Sequence, residues 1–152
     1  MKLGKILFRL ATIDDAQILF EWRSDIQTRQ ASHHEEEISF ADHQVWFTKS
    51  LENPNRKIYI ALMNGQAVGT VRSDLFEGIS ELSWTVNPAY RGQGIGTKMV
   101  TLLADKIDGP IKAEVKATNL ASRHIAEACG MILKESKNGI LYYIKSEKNS
   151  VV

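Results

Sequence analysis

The sequence predicts an α/β fold, one mixed sheet covered by helices, on three observations. Apolar residues switch along the chain between helical spacing and strict alternation. Asn64-Gly65 and Lys137-Asn138-Gly139 mark tight turns between alternating segments. A glycine-rich stretch, Gly92 to Gly96, joins such a segment to an amphipathic one. The length of 152 residues, with 43% hydrophobic and 24% charged, fits one domain with one core.

Residues 5–11, KILFRLA, read as a strand. Thr12 then supplies an N-cap with Asp14 and Asp15 in the first turn, and Ile13, Ala16, Leu19, Phe20 and Ile26 lie on one helical face. Gln30 to Glu37 is polar and aperiodic, a loop. Ser39 caps a second helix whose apolar contacts are Phe40, Val45, Trp46 and Leu51. From Lys57 the period is two: Ile58, Ile60 and Leu62 alternate with Tyr59 and Ala61, Asn64-Gly65 turns the chain, and a strand returns through Ala67 to Ser73. After Glu77-Gly78, Ile79 to Val86 is the third strand of a meander, stopped at Asn87-Pro88 because proline has no N–H for the ladder. Ile95, Met99, Leu102, Leu103 and Ile107 then follow at helical spacing up to Asp108-Gly109-Pro110. Ile111 to Ala117 alternates as a strand, Asn119 opens a helix closed by Gly130, and Met131–Lys134 and Ile140–Ile144 flank the last hairpin. Ser146 to Val152 reads as a frayed tail. The predicted order is β-α-α-β-β-β-α-β-α-β-β, with neither repeats nor linkers.

Nineteen Lys and Arg against eighteen Asp and Glu give a net charge of +1, too even for general nucleic-acid binding. The only cysteine, Cys129, has no partner within the chain, which points to a reducing compartment and excludes a disulfide framework and a multi-cysteine zinc site. No apolar run approaches the roughly 18 residues of a membrane span, and Arg9 cuts the first one short of a signal-peptide core. The expectation is a cytoplasmic protein with no membrane or nucleic-acid partner and no metal.

The segment from Val86 to Gly96 is the most informative, because small residues at a strand-to-helix junction expose backbone N–H groups that hold anions. A dinucleotide fingerprint would need glycine at Thr97, and a phosphate-binding P-loop would need the order Gly-Lys-Ser/Thr where Gly96-Thr97-Lys98 stands, so neither applies. Arg91-x-x-Gly94-x-Gly96, after the strand Glu81-Leu82-Ser83-Trp84-Thr85-Val86 and before an amphipathic helix, resembles the GNAT family of acetyl-coenzyme A-dependent N-acetyltransferases. The resemblance runs over roughly residues 6–145 and includes Asn119-x-x-Ser122 and Cys129-Gly130-Met131.

It implies the GNAT-like acyl-coenzyme A N-acyltransferase fold with acetyl-coenzyme A as co-substrate. Arg91, Gly92, Gln93, Gly94, Ile95 and Gly96 would wrap the pyrophosphate, in agreement with the helix dipole behind them. Trp84 and Val86 would offer main chain to the pantetheine arm, Val86 N–H would face the thioester oxygen, and Asn119 and Ser122 would form the second coenzyme-binding stretch. Lys98 and Arg123 are cations within range of phosphate, if they are more than solvated surface charge.

Acetyl transfer to an amine needs an uncharged nucleophile, a stabilised oxyanion and a thiolate that ends protonated. Glu81, where several members of the family carry a catalytic glutamate, is the candidate base, and strand alternation separates it from the face of Leu82, Trp84 and Val86; the alternative is an exposed strand glutamate. The tyrosine usual in the family's last helix is replaced by Ala126, which leaves Tyr142 and Tyr143 as candidate acids or packing residues. The acceptor is expected to be a small-molecule amine met by Trp22, His33, His43 and Trp46. The Trp22-Arg23, Arg29, Ile38, His43 and Trp46-Phe47 pattern resembles the branch that acetylates nucleotide-linked amino sugars. His33-His34-Glu35-Glu36-Glu37 either draws a cationic acceptor or is a solvated charge run. His43 is a contact, a base or a half-buried packing residue. A protein N-terminus as acceptor, a non-catalytic acyl-coenzyme A sensor and an unrelated binding module are the rival readings, and the chain is expected to be a monomer or homodimer.

Overall fold

The computed structural model describes residues 4–146. The tail expected from Ser146 onward lies, after Ser146 itself, outside the described residues. Strand β1 (Ile6–Leu10) leads into a 3-10 turn at Ile13–Asp15 and then α1 (Ala16–Ser24). Asp15 fixes this corner: its carboxylate accepts from the Thr12 backbone N–H at 2.8 Å and from both Arg9 guanidinium nitrogens at 2.8 Å each.

The one helix expected up to Ile26 is two. Asp25, at φ −57° and ψ 132°, leaves the helical region and caps a new helix, α2 (Ile26–Ala31), by accepting from Thr28 N–H at 3.0 Å. Apolar spacing misses the break because it counts Ile26 as one more core contact, whereas Ile26 is exposed. Ser39 caps α3 (Phe40–Glu52) through its hydroxyl, as predicted.

The meander is β2 (Arg56–Met63), β3 (Gln66–Phe76) and β4 (Ile79–Val86). Helix α4 (Ile95–Asp105) crosses over to β5 (Ile111–Lys116), and α5 (Leu120–Ala128), β6 (Ile132–Lys137) and β7 (Ile140–Lys145) complete the chain. The seven strands run in the order β1-β2-β3-β4-β5-β7-β6, and only β4 and β5 are parallel, the pair that the α4 crossover joins.

Alternation along the strands divides the molecule into two layers. Val71, Leu82, Ala113, Val115 and Tyr143 face α4 and α5 and meet Met99, Leu103 and Ile125 there. Ile58 and Ile60 face the other way and bury Leu19 and Trp22 of α1 and Phe47 of α3. Gly96 lets α4 close on its neighbours, since a Cβ there would lie 2.8 Å from Ile125 Cδ1 and 3.2 Å from Val86 Cγ2.

Candidate active site

β4 and β5 pair at two positions, Ser80 with Ile111 and Glu81 with Lys112, although both strands continue. Past Glu81 the ladder stops, and the sheet is split between the C-terminal halves of these strands. Both coenzyme-binding stretches suggested by the sequence stand at the end of that split. At β4, Gly92 and Gly94 adopt φ of 78° and 77°, the left-handed region that glycine enters freely, and no atom lies within 4 Å of where a Cβ would project. Gly94 is the N-cap of α4 and has no side chain to satisfy the first amides, so the helix start is open to an anion. The features fit an acyl-coenzyme A: a slot in the sheet for an extended arm and free amides for a diphosphate.

Several side chains near the loop are engaged within the protein. Arg91 Nη2 donates to Asp25 Oδ2 and, at 2.9 Å, to Thr28 Oγ1. Lys98 Nζ donates to the Gly4 carbonyl at 2.9 Å and Arg123 Nη1 to the Ala117 carbonyl at 3.2 Å, so both candidate phosphate cations are tied to backbone. Asn119 caps α5 by accepting from Ser122 N–H at 3.0 Å, and Trp84 Nε1–H donates to Ser122 Oγ at 3.1 Å, bridging β4 to α5. Gln93 is exposed, whereas the Ile95 side chain is core; Ile95 and Gly96 offer the loop their backbone rather than their side chains.

Glu81 lies opposite the Leu82 core face, as alternation predicts. Cross-strand register places it in a row with Arg56 on β2, Asp74 on β3 and Lys112 on β5. Burial pushes its carboxyl above the ordinary range, the charge of Glu114 adds to this, and Lys112 opposes it. Arg56 and Arg72 both pair with Asp74, at 2.5 and 3.1 Å, and both guanidinium groups lie over the Trp46 ring, 5.8 and 5.7 Å from its centroid. Trp46, 39% exposed, thereby joins the face of the sheet that carries Glu81.

The loop after α2 closes over the end of β5. His33 Nε2 meets Glu114 Oε1 at 3.1 Å, and Lys116 Nζ donates to Glu35 Oε2 at 2.7 Å and to the Gln30 carbonyl at 2.9 Å. All five residues of the run from His33 to Glu37 are exposed, but His33 and Glu35 also bond to side chains of β5. Residue-by-residue reading misses Asp25, Thr28, Arg72, Asp74, Glu114 and Lys116. The alternation of Ile111 to Lys116, with Lys112, Glu114 and Lys116 off the core face, was the available signal for the last two.

Three candidates are corrected. Trp22, 4% exposed, packs in the second core layer and faces no cleft. His43, 1% exposed, stacks on Phe47 at 6.0 Å and neither ring nitrogen makes a hydrogen bond. Burial lowers its pKa, the Arg23 charge adds to this, and the backbone of Ala16 opposes it from outside hydrogen-bond geometry. Tyr143 is buried and its hydroxyl donates to Glu127 Oε2 at 3.0 Å; burial and that bond raise its pKa, the wrong direction for an acid. Tyr142 lies on the Glu81 face of the sheet as the cross-strand partner of Glu114. Ala126 is fully buried, so a tyrosine there would have no room. Burial pushes the Cys129 thiol up to about 11, an inert core group. Among the described residues no cluster of His, Cys, Asp and Glu forms a metal site, and no helix is long and apolar enough to cross a membrane.

A family model described as the acetyltransferase (GNAT) domain matches residues 5–132. Solved structures of similar fold include the aminoglycoside acetyltransferase AAC(6')-Ib with coenzyme A and kanamycin, at 20% identity and TM-score 0.79 over 93% of this chain and 95% of that one. The spermidine N-acetyltransferase from Vibrio cholerae with coenzyme A and spermine gives 14%, 0.81, 93% and 95%. A phosphinothricin acetyltransferase from Sinorhizobium meliloti with acetyl-coenzyme A gives 19%, 0.75, 93% and 88%. At these identities the likeness establishes the fold. No curated protein matches the sequence at a significant level.

Proposed function

The chain belongs to the GNAT family of acetyl-coenzyme A-dependent N-acetyltransferases, and on that premise we propose that it acetylates a small-molecule primary amine on the face of the sheet that carries Glu81. The observation that carries this reading is the position of Glu81. It is the last residue of β4 to pair with β5, at the edge of the split an acetyl-pantetheine arm would enter, and it faces away from the core layer under α4 and α5.

Acetyl-coenzyme A would lie with its diphosphate on the amides of residues 91–96 and its arm between β4 and β5, with Val86 N–H toward the thioester oxygen. Glu81 would take a proton from the acceptor ammonium, whose pKa near 10 keeps it charged at neutral pH. The freed amine attacks the thioester carbon, the C–S bond breaks as the adduct nitrogen gives up its second proton, and that proton ends on the departing thiolate. Tyr142 is the phenol on this face able to protonate it. The half-buried Glu81 carboxyl offers a cationic amine a counter-charge, whereas Asp74 is already paired with Arg56 and Arg72; that kanamycin and spermine occupy similar folds supports a cationic amine as the acceptor class. The nucleotide-linked amino sugar rested on the pattern Trp22-Arg23, Arg29, Ile38, His43 and Trp46-Phe47, of which Trp22, His43 and Phe47 are buried, and neither kanamycin nor spermine is a nucleotide-linked sugar.

The test is thiol release from acetyl-coenzyme A with a panel of amines: spermine, kanamycin, a nucleotide-linked amino sugar and a peptide N-terminus. Turnover with one of the small cationic amines is expected. Calorimetry with coenzyme A should show binding that Gly94→Val abolishes, because a side chain at a left-handed position strains the loop and fills the open space before it. Release with no small amine, or equal affinity in the variant, refutes the reading.

A further inference from the structure

We infer that Glu114 and His33 carry the acceptor's proton from Glu81 to solvent, so that the three side chains form a proton outlet on the acceptor face. This rests on the reading of Glu81 as the base and adds two residues to it. A carboxyl that has taken a proton in a half-buried position must lose it before the next turnover. Lys112 pairs with Glu81, and alternation returns Glu114 to the same face two residues later, where β4 and β5 no longer bond and space opens between the strands. His33 then reaches Glu114 at 3.1 Å from the loop after α2, 81 residues away in sequence. Glu81 and Glu114 are both half-buried, and the His33 side chain beyond them is 41% exposed, so the row ends at water. Nothing in the packing of the two core layers requires this contact, since both partners lie outside them.

An N–H bond of the acceptor ammonium breaks and an O–H bond forms on Glu81. After acetyl transfer that proton crosses a solvent molecule to a Glu114 oxygen. With Glu114 protonated, His33 exchanges its Nε2–H for the Nδ1–H tautomer through water, Nε2 takes the Glu114 proton, and loss of the Nδ1 proton to water restores the Nε2–H that donates to the Glu114 carboxylate. The charged and titratable groups facing Glu81 are Arg72 and Asp74 on β3 and Lys112 and Glu114 on β5. Those around Glu114 are Tyr142 on β7, His33 on the loop, and Lys112 and Lys116 on its own strand.

The experiment uses the full chain and the amine of the panel that gives thiol release. His33→Ala and Glu114→Gln are each expected to lower kcat by roughly tenfold or more, with KM for acetyl-coenzyme A little changed. Added imidazole should restore His33→Ala in proportion to its concentration, and His33→Gln, which keeps a donor for Glu114, should stay slow. Wild-type turnover in either variant, or a slow His33→Ala that imidazole leaves slow, overturns the outlet. Glu81→Gln separates the two readings. If it is slow while His33→Ala is at full rate, the base stands and the outlet falls; if it turns over normally, the base assignment fails and the outlet with it.

Discussion

Arg91 in the loop after β4 and Asp25 at the N-cap of α2, 66 residues apart, form one ion pair, and the same Asp25 oxygen caps the helix through Thr28 N–H. Arg91 holds the Asp25 carboxyl below the usual range, with Thr28 N–H helping. One carboxylate therefore fixes both the coenzyme loop and the helix that carries the acceptor loop. Asp25→Ala is expected to raise the KM for acetyl-coenzyme A roughly five- to thirtyfold, the range that one or two kcal/mol spans. Steady-state kinetics showing no rise would uncouple the two elements.

Glu81→Gln should lower kcat by roughly 10² to 10⁴ while coenzyme affinity stays close to wild type. The same change should raise thermal stability at pH 7. Because burial and Glu114 lift the folded-state pKa of Glu81, the native state binds more protons than the unfolded one just above pH 4.5, stability falls as pH rises through that window, and the penalty persists at neutrality. Calorimetric unfolding of the two proteins at pH 7 checks the sign, and a less stable variant would show that the carboxylate is well solvated.

His43 works in the opposite direction. Its folded-state pKa lies below its unfolded value of about 6.5, so its contribution is complete above that pH and declines as pH falls toward the folded pKa. His43→Phe, among Phe20, Phe40, Trp46 and Phe47, should remove that acid sensitivity and leave stability at pH 7 equal or higher, because two unpaired buried nitrogens disappear. Melting curves at pH 7 and pH 5 should diverge less in the variant than in wild type. Unaltered catalysis would accompany this, and a large loss of kcat would return His43 to the site.

Tyr142→Phe is expected to slow turnover by roughly tenfold at most, since a thiol of pKa about 8.5 leaves tolerably without an acid. Tyr143→Phe should leave kcat unchanged and cost about 1 kcal/mol through its lost bond to Glu127, a drop of roughly 2–4 °C in the unfolding midpoint. Activity assays and melting curves run on both variants separate the roles, and the reverse pattern would exchange them.

The sequence alone determined the elements, apart from the break at Asp25 that divides α1 from α2, and the backbone features of the glycine loop. Period, N-caps and Asn-Gly turns are local signals, and left-handed glycines at a helix start are read from neighbours in the chain. It also placed Glu81 off the core face, because alternation is a property of the strand itself. Tertiary structure decided which polar side chains meet. Asp25 with Arg91, His33 with Glu114 and the row from Arg56 to Lys112 join residues on different elements, and their pairing depends on sheet register and helix docking, which local spacing does not encode. For the same reason Trp22, His43 and Tyr143 looked like site residues: burial is set by what packs across the sheet, and one strand or helix read in isolation does not reveal which of its faces is covered.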